Sequence, residues 1–133
     1  MGQEGEIREI IINLKDARNE IFHVFVIGEK LHLQASKQSL SGDEITFLKK
    51  ISFATKNVED TMNWFNDICK GLTIELNKLK IIVKRADTVF VIVAVKEIIP
   101  FNALGILTDE DPKGTIGHID DAVEEIKAVL SKQ

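Results

Sequence analysis

One stretch constrains this chain more than any other: Thr88 to Ile99, Thr-Val-Phe-Val-Ile-Val-Ala-Val-Lys-Glu-Ile-Ile. Val89, Val91, Val93 and Val95 fall at one parity, and Phe90, Ile92 and Ala94 at the other. A strand sends alternate side chains to opposite faces, so this one has no polar face before Lys96. Its density of β-branched residues selects strand over buried helix. A strand apolar on both faces needs cover above and below. That predicts the middle of a sheet with helices on each side.

The rest of the chain can be sorted by whether it supplies that cover. Met1–Gly5 is a polar leader, expected to fray. Ile7, Ile10, Ile11, Leu14 and Ala17, completed by Ile21, form a helical stripe over Glu6–Glu20. The run of consecutive isoleucines leaves a short strand as the alternative there. Phe22–Ile27 is apolar on nearly both faces and predicts a second inner strand. Gly28-Glu29-Lys30 makes a turn in which Gly28 permits positive φ. In Leu31–Ser36, Leu31, Leu33 and Ala35 alternate with His32, Gln34 and Ser36, the pattern of a strand near an edge.

Ser41-Gly-Asp-Glu44 has the form of a capping box. Ile45, Leu48, Ile51, Ala54, Val58, Met62, Phe65 and Cys69 then recur in steps of three and four, predicting a long amphipathic helix stopped by Gly71. Phe47, Phe53, Trp64 and Ile68 widen its stripe beyond what one sheet face covers, which implies a second surface against the helix. Leu72–Leu76 alternates and is short, an edge strand; Leu79–Arg85 alternates again, and Ala86-Asp87-Thr88 turns the chain into the central strand. Pro100 helps to end that strand. Phe101–Leu107 takes no assignment, and Thr108–Gly114 reads as an exposed acidic loop. Ile119, Ala122, Val123, Ile126, Val129 and Leu130 define a final helix, with Asp120 and Asp121 in its first turn. The order is α-β-β-α-β-β-β-α over a single domain of residues 1–133. The fold class is α+β: a five-stranded, mainly antiparallel sheet with helices on both faces.

Chemical signatures are sparse. The net charge of −4, with signs mixed along the chain, argues against a nucleic-acid binder. A single cysteine, Cys69, forms no internal disulfide, and with no secretory pattern at the start the chain reads as cytoplasmic. Cys69 sits on the helix stripe and reads as a packing thiol. His23 and His32 are placed to approach across the hairpin, but two histidines without a third ligand make a poor zinc site. His118 stands apart from both. Asp111-Pro-Lys-Gly-Thr115 only superficially resembles a phosphate loop, because its glycine follows the lysine and the surroundings are acidic. Asp109, Glu110 and Asp111 lack the frame of a calcium loop. Lys78, Lys80, Lys84 and Arg85 form a basic cluster that reads as a solvated rim, with an anionic lipid or acidic partner as the alternative. Trp64 is either core or an interface anchor. No catalytic residue, cofactor site or metal site can be named, so an enzyme is not expected.

The order of elements resembles that of the roadblock family of dynein light chains and their bacterial and archaeal relatives, across essentially the whole chain. Asn102-Ala-Leu-Gly105 is similar to the asparagine-leucine-glycine turn that the family often has after its last strand. Two features depart from the family pattern: a longer loop before the closing helix, and a tighter first hairpin turn. The resemblance implies a sheet with Thr88–Ile99 in the centre beside Phe22–Ile27, and with Leu31–Ser36 and Leu72–Leu76 at the edges. It also implies a non-catalytic dimer that binds or scaffolds Ras-like small GTPases. In such a dimer the edge strand pairs with its copy through Leu72, Thr73, Ile74, Glu75 and Leu76. The long helix would contribute Val58, Met62, Trp64 and Phe65 to a dimer or partner surface. Physical reasoning agrees that an uncovered edge exposes unpaired backbone groups, which two-fold pairing satisfies. The runner-up is a longin- or profilin-like trafficking or cytoskeletal adaptor with a free sheet edge. A small-molecule sensor ranks third.

Overall fold

The computed structural model describes residues 2–37, 42–62, 71–75, 79–96 and 114–132. In chain order the elements are α1 (Gly2–Ala17), β1 (Ile21–Ile27), β2 (His32–Ser36), α2 (Gly42–Met62), β3 (Gly71–Glu75), β4 (Leu79–Ala86), β5 (Val89–Lys96) and α3 (Gly114–Leu130). The strands form one sheet in the order β2-β1-β5-β4-β3, and every neighbouring pair is antiparallel. The doubly apolar strand is therefore central, with β2 and β3 at the edges.

Burial on β5 follows its parity. Val89, Val91, Val93 and Val95 pack with Ile7, Ile11 and Leu14 of α1 and Ile119, Ala122 and Ile126 of α3. Phe90, Ile92 and Ala94 face the other way, into a smaller cluster with Phe25, Ile81, Val83 and Ile51 of α2. Val91 and Ile92, neighbours in sequence on opposite faces, are both 0% exposed. On β2, Leu33 and Ala35 are buried while His32 and Gln34 are exposed, so the edge keeps one wet face.

Helices α1 and α3 run antiparallel over the larger cluster. Nε2 of Gln3 donates to the carbonyl of Val129, and at the other end Glu20 meets Thr115 in the first turn of α3. The Glu20 carboxylate also accepts from Nε of Arg18, and its backbone carbonyl accepts from the amide of Lys96 at 2.8 Å. Burial pushes this carboxyl up, but the hydrogen bonds from Thr115 and Arg18 outweigh that and hold it below the usual carboxylate range.

Several expectations need correction. Residues 2–5 are not a separate leader but belong to the first turn of α1. Ala17 is exposed, and Ile21 opens β1 rather than finishing the helical stripe. Gly28 is not at positive φ; a Cβ there would come within 2.7 Å of Val89 Cγ1, so close packing is what requires glycine. Gly71 opens β3 as described, where a Cβ would lie 2.7 Å from the carbonyl oxygen of Val83, and the helix end expected just before it lies outside the described residues. Helix α3 starts at Gly114, so Asp120 and Asp121 sit beyond its first turn. The Ser41–Glu44 capping box, Cys69, Pro100, Asn102–Gly105 and the acidic Asp109–Asp111 run lie outside the residues whose side chains are described.

Candidate interface along the β3 edge and the long helix

Alternation in Gly-Leu-Thr-Ile-Glu produces a strand with two unlike faces. Leu72 and Ile74 are half-buried and pack against the smaller cluster, on the same side of the sheet as α2. Thr73 and Glu75 are exposed on the opposite side. Register pairs Leu72 with Val83 and Ile74 with Ile81 on β4. Among the described strands none flanks the other side of β3, which is therefore the outer strand of the sheet. Leu76, the last residue expected on this edge, lies outside the described residues.

The long helix lies over that face, and its inward stripe departs from the expected one at Ala54, whose place Thr55 takes. Ile51 and Thr55 are buried, Val58 and Glu59 are half-buried, and Ala54 is exposed. A buried threonine is tolerated because its hydroxyl donates to the Ile51 carbonyl one turn back, at 2.8 Å. Glu59 faces the sheet because Nη1 of Arg85 donates to its carboxylate. Of the helix residues assigned to an interface, Val58 stands half-buried and Met62 is the last residue of the helix that is described. Trp64 and Phe65 lie outside the described residues.

The described members of the basic cluster, Lys80, Lys84 and Arg85, do not form one patch. Lys80 pairs with Glu75 across the β3–β4 hairpin at 3.5 Å, and Lys84 reaches Asp120 of α3 at 3.8 Å. Arg85, the next residue, points the other way to Glu59 of α2 and lies 5.2 Å over the Phe90 ring. Strand alternation splits these cations between opposite faces, each beside a carboxylate. Lys78 lies outside the described residues.

His23 and His32 are likewise not brought together. Register pairs His23 with Ser36 and His32 with Ile27, so the two histidines stand at opposite ends of the hairpin. Among the described residues, no group of three His, Cys, Asp or Glu residues is placed to hold a metal ion. Thr115 of the phosphate-loop-like segment turns its hydroxyl inward to Glu20. No helix of the described residues is long and apolar enough to cross a membrane.

Sequence reasoning missed one feature, a groove of about 450 Å³ between α2 and the end of the sheet. Lys49, Phe53 and Lys56 form its α2 wall, opposite Ile27, Arg85 and Phe90. Phe53 was legible only as part of a broad stripe; here it is 71% exposed.

This sheet order, with α1 and α3 on one face and α2 on the other, defines a roadblock-type α+β domain, and the solved structures it resembles agree. MglB of Myxococcus xanthus superposes with a TM-score of 0.75 over 96% of both chains, at 11% identity. The gliding protein MglB of Thermus thermophilus matches at 0.72 over 100% of this chain and 94% of its own, at 9% identity. A Roadblock/LC7 domain from Streptomyces avermitilis matches at 0.70 over 94% and 98%, at 8% identity. The chain therefore has the Roadblock/LC7 fold. No protein-family model matches the sequence, and no curated protein does so either.

Proposed function

We propose that this protein is a non-catalytic dimeric scaffold or regulator that binds Ras-like small GTPases. The observation that carries the reading is the outer position of β3, which no other described strand flanks, with half-buried Leu72 and Ile74 on the same face as α2. Pairing that edge with its copy would satisfy the outward backbone groups and bury both side chains beside two long helices. The fold supports it, since the roadblock resemblance implies such dimers and GTPase partners. An MglB of the same fold has been described with a tetrameric arrangement, which supports the reading. A platform of this kind could regulate hydrolysis by positioning the GTPase's own residues, without contributing a reacting group.

Two measurements test it. Light scattering should give twice the chain mass, falling to the single-chain value for Ile74→Pro, while circular dichroism stays native. Pull-down against a panel of Ras-like GTPases, each loaded with GDP or a GTP analogue, should retain at least one. A monomeric wild type sinks the dimer, and no retention in either nucleotide state sinks the GTPase partner.

A further inference from the structure

The groove beside α2 has a composition that the dimer edge does not explain. Lys49, Phe53 and Lys56 stand at helical spacings of four and three, so they share one face of α2. Phe53 is exposed despite its size, with a lysine about one turn to either side. Facing them are Ile27 and Phe90, the latter carrying the Arg85 guanidinium over its ring. Glu29 is the one carboxylate among the lining residues, against three cations. None of the lining comes from β3.

We infer that this groove is a second docking site, for an acidic peptide segment of a partner protein that anchors one apolar side chain. Charge complementarity selects that occupant. The chain as a whole is acidic, at −4, yet this concavity is locally cationic. Arg85 is already engaged with Glu59, which leaves Lys49 and Lys56 to meet incoming carboxylates. A volume of about 450 Å³ suits a buried anchor side chain with its flanking backbone. Phe53, Ile27 and Phe90 provide the apolar contact, and the lysines flank it as a polar rim. An anionic membrane is the less suitable surface, since it rewards a broad cationic face and this protein carries net negative charge. The site goes beyond the GTPase reading and does not depend on it.

The test is a displayed library of random peptides selected on the full-length protein, with fluorescence anisotropy of the enriched peptides. Enriched sequences should carry a large apolar residue flanked by Asp or Glu. Their affinity should fall about tenfold for Phe53→Ala and at least as much for Lys49→Glu/Lys56→Glu, and weaken with added salt. These side chains are exposed, so thermal unfolding should be unchanged in both variants. Enrichment without acidic residues, or equal binding to the variants, overturns the proposal. So does binding to phosphatidylserine vesicles that the double variant abolishes while peptide binding is absent. A change in oligomeric mass for Phe53→Ala overturns it too, because the groove would then belong to a contact between copies. The Ile74→Pro variant should still bind the enriched peptides, which separates this site from the β3 edge.

Discussion

The carboxylate of Glu20 accepts the hydroxyl hydrogen of Thr115, 95 positions further along the chain, and so fastens the entrance of β1 to the first turn of α3. An acid at that place also complements the amide-rich end of the helix. Glu20 is 7% exposed and Thr115 is 3% exposed, so the contact is shielded from water. Glu20→Gln or Thr115→Val should cost about 1–3 kcal/mol, because each leaves a buried polar partner less well satisfied. Urea unfolding read by circular dichroism measures it.

The same carboxyl predicts a pH dependence. Its native value is lowered relative to the ordinary 4.5, so its contribution is complete above that value. The contribution is lost as pH falls from there through the lower native value. Unfolding free energies measured through this acid range should decline more steeply for wild type than for Glu20→Gln. Parallel slopes would show that the carboxylate is not responsible.

Arg85 and Glu59 join β4 to α2, on the face where Ile51 is the described helix residue in the core cluster. The Glu59 side chain is 13% exposed and that of Arg85 34%, so the pair is only partly screened. A double-mutant cycle with Arg85→Met and Glu59→Gln should return a coupling of about 1 kcal/mol. Coupling within error of zero would mean that α2 is held by apolar contact alone.

Two glycines should respond differently to the same change. In Gly28→Ala the new methyl meets Val89 Cγ1 at 2.7 Å, and in Gly71→Ala it meets the Val83 carbonyl oxygen at 2.7 Å. Each should destabilise by about 1–3 kcal/mol through overpacking. Val89→Ala removes the atom that Gly28→Ala strikes, so the double variant should regain part of the loss. No side-chain change removes a backbone oxygen. Gly71→Ala should therefore loosen the start of β3 and weaken the proposed dimer, read as a mass that falls on dilution.

Ile92 and Phe53 give the opposite contrast. Ile92→Ala should cost about 2–5 kcal/mol, since its side chain is wholly enclosed. Phe53→Ser should leave stability within about 0.5 kcal/mol, as expected for an exposed position. Thermal unfolding of both variants decides whether the α2 surface is part of the core or outside it.

What the amino-acid sequence determined by itself was everything that period and composition encode locally. Valines at one parity and Phe90, Ile92 and Ala94 at the other place β5 in the middle of the sheet, because neither face can meet water. Alternation at Leu33 and Ala35 marks an edge for the same reason. Tertiary structure alone decided the polar pairings and the orientation of α2. Which carboxylate meets Thr115 or Arg85 depends on segments 95 and 26 positions apart being brought together. Period alone set the α2 stripe on Ala54; the buried residue is Thr55, whose hydroxyl is satisfied within its own helix while Glu59 turns inward to a cation on the sheet. Gly28, too, was legible as a turn residue but not as a packing one. Its neighbour Val89 reaches it only once β1 and β5 lie side by side.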